Sequence, residues 1–103
     1  MVHELRIYTI KKGGMARWAA LMEEMIIPFQ QSMGMEILER YTGLGDDGDR
    51  YIWLRRFKDE AERRELYDRV YGSDYWKETV RPAMGDLMVR EEKQEIVMTP
   101  VMV

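Results

Sequence analysis

"RYIWLRRF", Arg50 to Phe57, is the clearest strand in the chain, and its two faces decide the fold. Alternate residues of a strand point to opposite sides, so Ile52 and Leu54 share one face while Tyr51, Trp53, Arg55 and Phe57 share the other. A strand covered on one side reads apolar in and polar out. This one is apolar on both. Each aromatic ring buries about 150–250 Å², so the three together present roughly 450–750 Å², an area that calls for a cover. The aliphatic pair is assigned to the monomer core, and the ring-bearing face to a second covering layer.

Working outward, "VHELRIYTI" (Val2 to Ile10) alternates in the same way, with Leu5 and Ile7 on one side and Glu4, Arg6 and Tyr8 on the other. It reads as a first strand. "KKGG" turns the chain, and Trp18, Met22, Met25, Phe29 and Met33 then recur at three- and four-residue steps, the stripe of an amphipathic helix. Pro28 falls inside that stripe, which predicts a kink or break near Ile27. Gly34 ends the helix, and "MEILERYTG" (Met35 to Gly43) is the second strand. The glycine- and aspartate-rich "GLGDDGDR" joins it to the opening stretch as an antiparallel hairpin.

Asp59 followed by Glu62 has the spacing of a capping box, and the pairs Glu60/Arg64 and Glu65/Arg69 support the helix that follows. "YGSD" (Tyr71 to Asp74) interrupts, with Ser73 or Asp74 capping a further segment striped by Trp76, Val80, Met84 and Leu87 and bent at Pro82. "EEKQEIVMTPVMV" (Glu91 to Val103) reads as a fourth strand. The order is βαββαβ, an α+β, ferredoxin-like layer: one four-stranded antiparallel sheet with helices on one face. On this reading Leu5, Ile7, Ile52 and Leu54 meet the helices, and Arg6, Tyr8, Tyr51, Trp53, Arg55 and Phe57 occupy the bare side. A second sheet is the natural lid.

Length and composition narrow the function. The 103 residues make a single domain, 1–103. Cysteine is absent, which excludes disulfides, thiolate nucleophiles and cysteine-bound metals and fits a cytoplasmic protein. No signal peptide and no membrane-length apolar run is expected. The 16 Lys and Arg are interleaved with 19 Asp and Glu for a formal charge of -3, which argues against a nucleic-acid binder.

"ELRIYT" (Glu4 to Thr9), "GDRYIWLRRFKDEAER" (Gly48 to Arg63) and "YGSDYWKE" (Tyr71 to Glu78) resemble the opening strand, central hairpin and tyrosine-glycine-serine motif of the NIPSNAP family, within the dimeric α/β-barrel superfamily. Pro28 and Pro82 sit where that family places helix-interrupting prolines. The likeness covers nearly the whole chain. It implies two chains packing their sheets face to face into a dimeric α/β barrel, with a cleft between helices and sheet or inside the barrel.

Among candidate site residues, Arg55 and Arg6 are read as pointing into the barrel. Each either pairs with a carboxylate such as Glu4 or Glu39, because a buried charge needs a partner, or binds an anionic or phenolic group with help from Tyr8 or Tyr41. The ligand set is therefore Arg6, Tyr8, Tyr41, Trp53 and Arg55, and the dimer interface Tyr51, Trp53 and Phe57. His3, the single histidine, alternates with Leu5 and Ile7, away from Arg6 and Tyr8. The Asp46, Asp47, Asp49 turn lacks the liganding positions and closing glutamate of a calcium loop, so no metal is expected, nor any cofactor. The chain has no asparagine, and so no counterpart of the asparagine–tryptophan pairing of superfamily oxygenases. Three functions remain: a homodimeric small-molecule-binding or accessory module for a small aromatic or anionic ligand, a cofactor-independent monooxygenase or isomerase acting on an aromatic or enolic molecule, and, with less to favour it, a structural scaffold with no cleft.

Overall fold

A computed structural model describes residues 1–102. β1 (Val2–Thr9) leads into a long helical arm made of α1 (Met15–Leu21), a π-helical turn (Met22–Ile26) and α2 (Ile27–Ser32). The hairpin β2 (Glu36–Thr42) and β3 (Arg50–Phe57) follows, then α3 (Glu60–Tyr71). A second arm pairs a π-helical turn (Trp76–Val80) with α4 (Arg81–Met84), and β4 (Gln94–Met98) completes the sheet. The strand order is β2-β3-β1-β4 and every pairing is antiparallel. This is the expected ferredoxin-like arrangement.

Local signals behave as their chemistry requires. Asp59 caps α3, its carboxylate accepting from the Glu62 amide at 2.8 Å. The Ser73 hydroxyl accepts from the Trp76 amide at 3.2 Å and starts the second arm. Gly34 leaves the first arm at φ 104°, a conformation open to glycine. Each π turn ends two residues before a proline, Pro28 or Pro82. Proline lacks an N–H and its ring crowds the preceding turn, and widening that turn relieves both problems without ending the helix. The predicted kinks are thus π turns. β4 is shorter than the expected Glu91 to Val103: Arg90–Glu92 form a 3-10 turn, and Pro100 has no N–H to carry the ladder on. Val103 lies outside the described residues.

The sheet faces are grouped as expected but reversed in direction. Tyr51, Trp53, Arg55 and Phe57 are buried against the helices, as are Glu4, Arg6 and Tyr8. Ile52, Leu54, Leu5 and Ile7 lie half-buried on the open side, and His3 goes with them. The assignment of Tyr51, Trp53 and Phe57 to a dimer interface is therefore corrected: they are monomer core, at 3%, 1% and 2% exposure. The reason is volume and charge. The gap between sheet and helices is filled by bulky rings, and Arg55 tolerates burial because Glu4 stands directly opposite it on β1.

The first helical stripe is also turned. Its buried residues include Trp18, Met22, Ile26 and Gln30, four apart, whereas Met25, Phe29 and Met33 are only partly buried. A π turn carries more than four residues, so it rotates the inward face relative to an ordinary helix. The second arm buries Trp76, Val80 and Met84 at the same spacing.

Candidate functional site

Two adjoining assemblies fill the space between sheet and helices, one a buried ion cluster and the other a cavity. In the first, Arg55 is fully buried and its donors are engaged. Its Nε donates to Glu4 Oε1 at 2.9 Å, its Nη2 donates to the same oxygen, and its Nη1 donates to Gln30 Oε1 and to the Tyr71 hydroxyl, each at 2.9 Å. Arg63 reaches the other Glu4 oxygen at 2.9 Å. Burial alone would raise the Glu4 pKa, but Arg55, Arg6 and Arg63 outweigh it and hold the carboxyl below its ordinary value. Of the two readings of Arg55, the geometry shows pairing with a carboxylate on its own sheet face.

The cavity, about 160 Å³, lies beside this cluster. Trp18, Trp53 and Trp76, all the tryptophans of the chain, line it together with Arg6, Tyr8 and Tyr71. Tyr8 meets the edge of Trp18 at 5.7 Å between ring centres, and Tyr71 the edge of Trp76 at 4.7 Å. The Arg55 guanidinium sits 4.9 Å from the Trp53 ring, so the ion cluster braces one wall. Both π turns contribute, through Met22 and Ile26 on one side and Trp76 on the other.

Polar groups converge on one part of this lining. Arg6 Nε donates to the Tyr8 hydroxyl at 2.8 Å. Burial pushes the Tyr8 pKa up, and the neighbouring Arg6 only partly offsets that, so the phenol keeps its proton at neutral pH. The Arg6 pKa is raised in turn: burial disfavours its charge, but the hydrogen bond to Tyr8 and the Glu4 carboxylate help to outweigh that. Arg6 Nη1 lies 3.1 Å from Glu95 Oε1, close enough for ion pairing, yet at an angle that leaves it without a hydrogen bond among the described residues. The indole N–H groups of Trp18 and Trp53 have no acceptor among them either. Arg81, Arg90 and Lys93 add positive charge to the lining, and no carboxylate among the described residues lines the cavity.

Of the residues expected to form a site, Arg6, Tyr8 and Trp53 are brought together on the cavity wall. Arg55 stands behind Trp53 without lining the cavity, and Tyr41, 53% exposed, lies on the other side of the sheet with Ile52. Gln30 and Tyr71 were missed. Their signal is faint: Gln30 is a polar residue four after Ile26 on an otherwise apolar stripe, and Tyr71 stands in the "YGSD" interruption, where capping alone accounts for the motif.

A ferredoxin-like layer with an aromatic cavity between sheet and helices defines the class of this protein, and comparison narrows it further. The sequence profile of the NIPSNAP family matches residues 3–102, and the chain belongs to that family. A NIPSNAP family protein of unknown function from Agrobacterium tumefaciens has a similar structure, with a TM-score of 0.85, 23% identity, and 97% of this chain and 87% of that one covered. An uncharacterised NIPSNAP-like domain protein from Burkholderia xenovorans gives 0.85 and 24% over 97% and 84%. A putative antibiotic biosynthesis monooxygenase from Nitrosomonas europaea shares the fold at 0.70 and 12% over 99% and 100%. No curated protein matches the sequence. None of the helices among the described residues is long and apolar enough to cross a membrane.

Proposed function

We propose that this protein is a homodimeric, cytoplasmic small-molecule-binding module whose ligand lies in the cavity between helices and sheet. The observation that carries the reading is the convergence of three tryptophans with Arg6 and Tyr8 around one space. Aromatic and aliphatic side chains that share a concave wall with convergent polar groups are the usual elements of a ligand site. Because every tryptophan lines that space, intrinsic fluorescence reports its occupancy directly. Titration with single-ring aromatic compounds should shift or quench the emission and raise the melting temperature. A panel of such compounds that changes neither would sink the reading.

Dimerisation is supported by the open sheet face. Leu5, Ile7, Ile52 and Leu54 form an aliphatic band there, flanked by Ile96 at 45% exposure and Tyr41 at 53%. A patch of this kind favours a cover, and a second copy of the same sheet is self-complementary to it. Sedimentation velocity at micromolar concentration should give a dimer mass.

The second reading is a cofactor-independent monooxygenase or isomerase, favoured by the protonated Tyr8 beside the Arg6 guanidinium. That pair could stabilise charge developing on an enolic oxygen. Loss of turnover in Tyr8→Phe, with substrate binding retained, would support it over simple binding.

A further inference from the structure

Arg6 is a buried cation whose counter-charge is poorly placed. It is 3% exposed, and the nearest oxygen of Glu4, 3.6 Å from its Nη1, already accepts from Arg55 twice. Its closer partner, Glu95, stands on the edge strand β4, with its side chain about a third exposed. The same Glu95 oxygen also lies 3.3 Å from Lys93 Nζ. Glu95 itself lines a neighbouring groove that meets the cavity at Tyr67. Two cations of the cavity thus share one carboxylate reaching in from outside it.

We infer that the cavity takes a carboxylate-bearing molecule with a single-ring apolar body, and that Glu95 is the internal stand-in its carboxylate displaces from Arg6 and Lys93. The inference rests on the cavity being the binding site. A guanidinium engages a carboxylate best through well-aligned N–H donors, and Arg6 Nη1 has one to offer. The Tyr8 hydroxyl, which accepts from Arg6 Nε, has its own hydrogen free to donate to the same group. Size sets the rest: a cavity of roughly 150 Å³ holds a benzene ring in another protein, and this one is about 160 Å³. Until a ligand arrives Glu95 partly neutralises the site, so it acts as a competitive gate.

The test is a tryptophan-fluorescence titration of the whole protein with matched phenylalkanoic acids and their primary amides at neutral pH. The acids should bind about tenfold more tightly than the amides. Glu95→Gln should raise the acid-to-amide affinity ratio about three- to tenfold, and Lys93→Gln should lower it by a similar factor. Both side chains are partly exposed, so these variants should fold. A ratio near one in the unaltered protein, or a ratio that Glu95→Gln leaves alone or reduces, overturns the inference while leaving a neutral-ligand cavity standing. No fluorescence change with either series overturns the cavity reading itself.

Discussion

Arg55 reads from the sequence as a ligand contact or an ion-pair partner, and in the fold it is paired. An arginine among three rings on a strand invites a ligand, but here Glu4, Gln30 and Tyr71 take up its donors. Removing one member of a buried pair strands the other, so Arg55→Met should destabilise the protein by about 3–5 kcal/mol, measured by urea unfolding. Glu4 carries a pH signature. Its pKa is lower in the folded protein than in the unfolded chain, so the unfolded chain binds more protons on acidification. The stability it contributes is complete above the ordinary glutamate value of about 4.5 and is lost as pH falls through the folded value. Glu4→Gln should flatten the stability-versus-pH curve in that acidic window, and an unchanged slope would assign the effect elsewhere. The sequence offered both readings of Arg55. Only the register, which sets Glu4 opposite it, chose between them.

At the level of elements, caps and breaks were legible because their chemistry is local. Asp59 needs only the Glu62 amide three residues on, and the acid-first pairs need only one helical turn: Arg64 to Glu60 at 3.2 Å and Arg69 to Glu65 at 2.8 Å. Asp59→Ala should therefore cost about 1 kcal/mol in unfolding free energy, whereas Glu65→Ala, at an exposed pair, should cost less than about 0.5 kcal/mol. Equal losses from the two in thermal or urea unfolding would contradict the assignment of Asp59 as the cap. The π turns were legible only as prolines. Their effect on phase was not, because the residue count per turn depends on which carbonyl each amide reaches. That shift carries Ile26 to the cavity wall and Gln30 to the ion cluster, so the helical half of the site depends on it.

For the whole molecule, the reversed sheet makes a paired prediction. Leu54→Lys, on the open aliphatic face, should dissociate the proposed dimer into folded monomers, seen as a halved mass in sedimentation with the circular dichroism spectrum retained. Trp53→Ala, one residue away and buried in the monomer, should instead destabilise the fold by about 3–5 kcal/mol. Had the rings of β3 been the dimer seam, the two outcomes would exchange. The same two-layer plan leaves the cavity on the helical side of the sheet and the proposed dimer on the other. Occupancy of the cavity and dimerisation should therefore vary independently to first order.

By itself the sequence determined the order of elements, the caps, the places where both helical arms depart from regularity, the family, and the sorting of each strand into two sets of side chains. Tertiary structure alone decided which set looks inward. A two-residue period separates odd from even positions but is unchanged by turning the sheet over, and hydrophobicity could not break the tie because both sets in "RYIWLRRF" are apolar. The helices broke it. Rings occupy the interlayer space, a carboxylate from β1 neutralises Arg55 within it, and Ile52 and Leu54 remain on the open face of the sheet.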